Sequence, residues 1–151
     1  MASEIPPAAP GFPFGETIPV NVHFDEMDAF GTLHNARYPL LVERAWIRMW
    51  QGLDPDGDWE MPAETCYVVK ELRIDYQKPV RRPGAYVVHF WLERLGNTSL
   101  TYGFRLCAMD GSVTYALGTR VLVHLDPQAR EPAPLAERFK GVARRLMRPM
   151  V

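Results

Sequence analysis

The stretch DEMDAFGTLHNARYPLLVERA, residues 25–45, joins an acidic loop to the beginning of an apolar helix. Three acidic residues precede a turn at Gly31, and His34 and Asn35 come directly before the helical pattern. Acidic loops are often only solvated turns, and they are also common parts of catalytic sites. The elements that flank this loop therefore decide between the two interpretations.

The residues after the loop repeat with the period of an α-helix. A helix from Asn35 to Gly52 is predicted, because polar side chains collect on one narrow stripe when each residue advances by about 100°. We expect a mostly buried helix that Asn35 caps with its side chain and that Gly52 ends. The predicted polar stripe contains Arg37, Arg44, Arg48 and Gln51, and the apolar face contains Leu41, Val42, Ala45, Trp46, Met49, Trp50 and Leu53.

Five segments alternate between apolar and polar residues with the period of two that is typical of β-strands. They are residues 17–24, 66–78, 85–93, 99–108 and 113–125. Asp110-Gly111 indicates a hairpin turn, and the last four strands are expected to form an antiparallel meander. In the fifth strand the alternation places Val113, Tyr115 and Leu117 on the apolar face. One helix that covers one sheet predicts an α+β fold.

The chain of 151 residues fits one domain with neighbouring segments. The proline-rich residues 1–15 are expected to form a flexible N-terminal arm, and residues 16–128 the folded domain. Residues 129–151 are expected to form a tail. Its apolar residues recur at helical spacing and favour a short helix, and they are Leu135, Phe139, Val142 and Leu146.

The composition argues against several classes of protein. Seventeen basic and eighteen acidic residues predict no broad attraction to nucleic acid or to anionic lipid. No apolar run approaches the ~20 residues that span a bilayer, and no signal peptide is recognisable. The two cysteines, Cys66 and Cys107, are expected to be reduced thiols. We expect a cytoplasmic protein without a membrane segment.

The order of elements, together with residues 25–45, resembles the hotdog fold, in which an antiparallel five-stranded sheet is wrapped around one long central helix. Within that fold the loop is similar to acyl-CoA thioesterases of the 4-hydroxybenzoyl-CoA thioesterase type. The element order matches over about residues 16–126, and only residues 25–45 supply a specific motif. Asp28 aligns with the catalytic aspartate of that family, Gly31 with its turn glycine, Asn35 and Tyr38 with the helix start, and Glu43 with a later acid.

The resemblance implies hydrolysis of an acyl-CoA thioester, with Asp28 as general base or as nucleophile. Backbone N–H groups of Asn35 and Ala36, at the N-terminus of the helix, would stabilise the oxyanion. Asn35 would orient water or Asp28, or it would only cap the helix. Some relatives have a catalytic histidine at the position of Asn35, and this makes the neighbouring His34 a further candidate.

The resemblance also implies a homodimer or homotetramer, and no cofactor, since CoA belongs to the substrate. The phosphates of CoA need cations, and Lys78, Arg81 and Arg82 are candidates at the end of a strand and in the following turn. The same residues can be ordinary charged surface. Arg120 is a more remote candidate on the polar side of the last strand.

Other interpretations carry less support. His23, Asp25, Asp28 and His34 are metal-ligand types, but the resemblance implies no metal. Residues 54–65 depart from a calcium loop, because Trp59 and Thr65 stand where glycine and glutamate are needed. Two other functions remain open: hydrolysis of a thioester on an acyl carrier protein, and a non-catalytic module that binds acyl thioesters. The acyl group is also open, because aromatic residues can line a pocket or fill a core, and these are Trp46, Trp50, Tyr67, Trp91 and Tyr102.

Overall fold

The computed structural model describes residues 11–52 and 66–149, and it shows one antiparallel sheet with a long helix against it. The strands are β1 (Glu16–Val22), β2 (Tyr67–Tyr76), β3 (Gly84–Leu95), β4 (Ser99–Cys107) and β5 (Thr114–His124). The helices are α1 (Arg37–Gly52) and α2 (Glu137–Ala143), and short 3-10 turns lie at Phe24–Glu26 and Arg144–Leu146. The expected α+β class and the five-stranded hotdog sheet are confirmed.

The strands are ordered β1-β3-β4-β5-β2. The predicted four-strand meander is therefore wrong, because β2 pairs with β5 and not with its neighbour in sequence. The segment after β2 does not turn back as a hairpin. Gln77 and Lys78 donate their N–H groups to Tyr115 O, and the buried Val80 accepts from Leu33 N–H at 2.8 Å. This link thus crosses the end of the sheet and ties it to the loop before α1.

α1 packs against the sheet through its predicted apolar residues. The Trp46 ring stacks on Tyr102 of β4, with 4.0 Å between ring centroids. The opposite side is wider than the predicted narrow polar stripe and includes the exposed Leu40 and Ile47. α1 begins at Arg37, two residues after the predicted start. The buried residues of α1 are Tyr38, Leu41, Val42, Ala45, Trp46, Met49 and Trp50, whereas Leu53 lies outside the described residues.

The predicted apolar face of β5 is wrong. The residues buried toward α1 belong to the other alternating set, which includes Ala116, Arg120 and Leu122. The core side also contains Gly118, where an added Cβ would lie 2.8 Å from the Phe104 ring. This set includes a glycine and an arginine, so the alternation of apolar residues predicts that it faces solvent.

The outer face of β3 is covered by the segment that precedes β1. Phe12 is only 4% exposed, and its ring lies 5.2 Å from that of His89. Arg105 on β4 donates to Gly11 O at 3.0 Å and fastens the same segment. Within the arm expected to be flexible, residues 11–15 are therefore packed on the sheet, and residues 1–10 lie outside the described residues.

The C-terminal segment packs on the same core as α1. Phe139 of α2 stacks on Trp50 with 4.3 Å between ring centroids, and Leu135, Ala143 and Leu146 are buried in the same cluster. The short helix expected in the tail is thus present, and the core continues beyond residue 128.

Neither described cysteine forms a disulfide bond, and burial raises the pKa of the Cys107 thiol to about 11. Such a thiol stays protonated and unreactive near neutral pH. Among residues 11–52 and 66–149, no helix is long and apolar enough to span a bilayer.

The first prediction concerns His89, which is 2% exposed. Its Nδ1 accepts from Arg105 Nε at 3.1 Å, so Nε2 carries the proton and donates to Phe14 O. Burial, with Arg105 beside it, lowers the pKa of His89 below its usual 6.5. The unfolded chain therefore binds the second, charging proton of His89 more readily than the folded chain does. The free energy of unfolding should fall as the pH drops through 6.5.

Chemical denaturation between pH 8 and pH 5 (about 25 °C) measures this effect. We expect the pH dependence to flatten in His89→Gln, and the exposed His23→Gln to keep the parent slope. An unchanged slope in His89→Gln would contradict the assignment.

Candidate active site

The acidic loop is a closed turn held by its own backbone. Met27 and Leu33 form an antiparallel bridge at its base, and Asp28 N–H donates to Thr32 O at 2.7 Å. Gly31 has a φ of 74°, a left-handed conformation that glycine adopts without strain. This geometry explains why the sequence has glycine three residues after Asp28.

Glu26 serves this loop as a structural acid. Its side chain is buried, accepts from His23 N–H at 2.8 Å and lies 3.9 Å from the guanidinium of Arg44. It thus fixes the end of β1 against α1. Asp25 is exposed.

The carboxylate of Asp28 is held by several donors of its own loop. Oδ1 accepts from Phe30 N–H at 2.9 Å and from Thr32 N–H at 3.2 Å, and the Thr32 hydroxyl lies 3.1 Å from Oδ2. The Thr32 N–H, followed by these other contacts, lowers the pKa of Asp28 below its usual 3.8. Asp28 is therefore ionised and oriented at neutral pH.

The start of α1 differs from the predicted Asn35 cap. His34 Nδ1 accepts from Ala36 N–H at 3.0 Å, and His34 O accepts from Arg37 N–H at 2.8 Å. The side chain that caps the helix start is thus His34. Of the two predicted oxyanion donors, Ala36 N–H is already engaged, whereas Asn35 N–H has no partner within the described part of the chain.

Asp28 and Asn35 lie in one open cleft of about 250 Å³. Lys78 also lines this cleft, whereas the exposed Arg81 and Arg82 do not. His34 and Ala36 line a neighbouring depression together with Asp25 and Glu26. The remaining residues that line the Asp28 cleft are Thr32, Leu33, Tyr38, Tyr76, Gln77 and Pro79.

Two tyrosines complete the cleft. The rings of Tyr38 and Tyr76 meet edge to face with centroids 5.0 Å apart, and the Tyr76 hydroxyl donates to Asn35 O at 2.9 Å. Burial raises the pKa of both hydroxyls, so they remain protonated donors. Tyr76 was not a predicted site residue. Its position at the end of a strand that returns beside the loop depends on the β2–β5 pairing, which the sequence did not indicate.

No group of three or more metal-ligand side chains occurs in residues 11–52 and 66–149. His23, Asp25, Asp28 and His34 therefore do not form a metal centre in this structure. Arg120, proposed as a remote contact for phosphate, is only 5% exposed and lies on the core side of β5, away from the surface.

The second prediction concerns the electrostatics of Asp28. Thr32→Val removes a hydroxyl that contacts the carboxylate while keeping the shape of the side chain. We expect the pKa of Asp28 to rise, because the ionised form loses a hydrogen bond. An NMR titration of the Asp28 carboxyl carbon measures it. As a control, Ser112→Ala should shift only Asp110, which the Ser112 side chain holds in the same way; no shift in Thr32→Val would contradict the assignment.

Comparison with known proteins places this chain in a family. Residues 22–142 match the model of the thioesterase-like superfamily. The acyl-CoA thioester hydrolase YbgC of Escherichia coli O157:H7 is 24% identical over 117 residues, which are 78% of this chain and 87% of that protein.

Solved structures show the same similarity. A thioesterase from Thermus thermophilus, complexed with coenzyme A and Zn, is 29% identical with a TM-score of 0.69, covering 88% of this chain and 95% of that one. A thioesterase superfamily protein from Jannaschia sp. CCS1 shares the fold, with a TM-score of 0.77, 18% identity, and coverage of 89% and 94%. The family match spans most of the chain, and this protein therefore belongs to the thioesterase-like superfamily.

Proposed function

We propose that this protein hydrolyses an acyl-CoA thioester to a free carboxylic acid and CoA in the cytoplasm. The observation that carries the proposal is the shared cleft of the Asp28 carboxylate and the start of α1. The similarity to YbgC, an acyl-CoA thioester hydrolase, and to a thioesterase complexed with coenzyme A supports it. The motif in residues 25–45 supports assignment to the 4-hydroxybenzoyl-CoA thioesterase type, and the two free thiols fit a reducing compartment.

Asp28 supplies the negative group that the reaction needs. As a nucleophile it attacks the carbonyl carbon and expels the CoA thiolate, and water then hydrolyses the mixed anhydride. As a general base it takes a proton from the attacking water. Both routes need the ionised carboxylate, and the lowered pKa of Asp28 keeps it ionised at neutral pH.

The helix start supplies the donors for the developing oxyanion. Asn35 N–H is free for this role within the described residues, and one such donor contributes about 3 kcal/mol in comparable sites. Ala36 N–H can join only when it leaves His34 Nδ1. His34 therefore acts as a positioning residue that holds the helix start, and the Asn35 side chain is not needed as its cap.

The CoA moiety would leave the cleft along its basic margin. Lys78 lies in the cleft wall, and Arg81 and Arg82 follow it in the exposed turn before β3. Cations at these positions suit the phosphates of CoA. Metal and cofactor play no part in this proposed chemistry.

The third prediction tests Asp28 directly. Asp28→Asn keeps the side-chain shape and removes the charge, so we expect kcat to fall by about 100-fold or more. Asp25→Asn is the matched control in the same loop, and we expect it to retain parent activity. Hydrolysis of aromatic, short-chain and medium-chain acyl-CoAs, followed by thiol release, gives the comparison and identifies the acyl class.

The outcomes separate the alternatives. Equal turnover in Asp28→Asn and parent would contradict the assignment of Asp28. Turnover on acyl carrier protein thioesters alone would identify a carrier-bound substrate. Absence of turnover on both kinds of thioester would overturn the proposed hydrolysis, and thioester binding measured in the same protein would identify a module that binds without catalysis.

We also propose that the protein is a homodimer through β2, which could pair again into a tetramer. β2 is the last strand of the sheet, and within the described residues it pairs only with β5. Most of its residues are exposed, including Val68, Val69 and Leu72. An exposed apolar strand edge readily pairs with another strand, and a second copy offers the matching edge.

The fourth prediction tests this interface. Val68→Lys places a charge on the free edge, so we expect its native mass to fall toward that of one chain in light scattering. Met109→Lys, at an exposed apolar residue in the β4–β5 turn, should keep the parent mass. A monomeric parent, or an unchanged mass in Val68→Lys, would contradict the β2 interface.

A further inference from the structure

A second cavity lies near the C-terminal half of α1, separate from the Asp28 cleft. It holds about 150 Å³, and its walls are formed by Trp46, Trp50, Tyr67, Tyr102, Leu122 and Phe139. Glu43, Ile47 and Val69 also line it, and these three are exposed. A cavity of about this volume has room for a benzene ring.

The aromatic walls are fixed in place. Trp46 stacks on Tyr102 at 4.0 Å and 9°, and Trp50 stacks on Phe139 at 4.3 Å and 25°. Trp46 and Trp50 also meet edge to face, with centroids 5.4 Å apart. The cavity is therefore preformed and loses little side-chain entropy when a planar group enters it.

Arg120 gives this apolar cavity a buried positive charge. It is only 5% exposed, and its Nη2 donates to Pro39 O at 3.3 Å. Its Nε is buried and has no hydrogen-bond partner among the described residues. No described carboxylate lies within ion-pair distance of Arg120. Glu43 lines the same cavity, but its side chain is exposed and does not pair with Arg120.

A buried guanidinium without an anion is costly, and it forms strong bonds with an entering carboxylate. The buried Tyr102 hydroxyl lies beside Arg120, whose charge and contact act on its oxygen, and no described group accepts its proton. Burial raises the pKa of this hydroxyl, which stays protonated and able to donate. Cation and hydroxyl thus face the same apolar space.

We propose that this cavity binds a ring-sized organic acid, whose ring lies between the aromatic walls and whose carboxylate meets Arg120. Two sources offer this chemistry: an acid group at the far end of the acyl moiety, or a free acid that binds independently. Arg120 contacts Pro39 in the first turn of α1, and the preceding Tyr38 lines the Asp28 cleft. That connection favours the acyl moiety. Binding itself does not depend on the proposed hydrolysis.

Direct binding tests the proposal without any catalytic readout. Benzoate and phenylacetate are titrated into the full chain and compared with benzamide and phenylacetamide, which keep the shape and lack the charge. Calorimetry gives the affinities. We expect each acid to bind at least about 10-fold more tightly than its amide, and Arg120→Met to remove that preference.

A second variant tests the location without touching Arg120. Ile47→Trp enlarges a side chain in the cavity lining, and we expect it to weaken binding of acids and amides alike. Equal affinity of acid and amide in the parent, retained preference in Arg120→Met, or undiminished binding in Ile47→Trp would each overturn the proposal.

Inhibition kinetics then separates the two sources. Competition between the free acid and an acyl-CoA substrate supports an acyl subsite, and binding without competition supports an independent acid site. If the protein hydrolyses no thioester, the binding data still decide whether the cavity takes an acid. Failure of the proposed function is thereby distinguished from failure of this inference.

Discussion

The stacking of Trp46 on Tyr102 positions α1 on the sheet, and the rest of the structure depends on that contact. The two rings are nearly parallel and buried, so α1 cannot slide along β4 without losing extensive aromatic contact. The first turn of α1 is thereby held beside the Asp28 loop. The last turns are held over the cavity that contains Arg120.

The Asp28 loop is fixed by local hydrogen bonds and by the buried Glu26, which also meets Arg44 of α1. Two rigid elements thus meet at the cleft, and each presents one half of the proposed chemistry. Thr32 holds the carboxylate, and Asn35 at the helix start lines the same cleft. Preorganised groups of this kind lose no free energy to reorientation when charge develops in a transition state.

Local patterns in the sequence predicted much of this structure, because period and turn chemistry act over a few residues. The helix, the five strands and the position of Asp28 beside Gly31 follow from such patterns. The β2–β5 pairing is a long-range contact without a local signal, so Tyr76 could not be placed in the cleft. Arg120 was assigned to the polar side of β5 because charged side chains are almost never buried. Arg120 departs from this rule, because its buried side chain lines a cavity.

The most direct test of the central claim is a crystal structure with a non-hydrolysable acyl-CoA analogue that has a ketone in place of the thioester. We expect the ketone oxygen to lie within hydrogen-bond distance of Asn35 N–H, and the carbonyl carbon to face the Asp28 carboxylate. A ketone bound away from both groups would contradict the proposal that loop and helix start form one catalytic site.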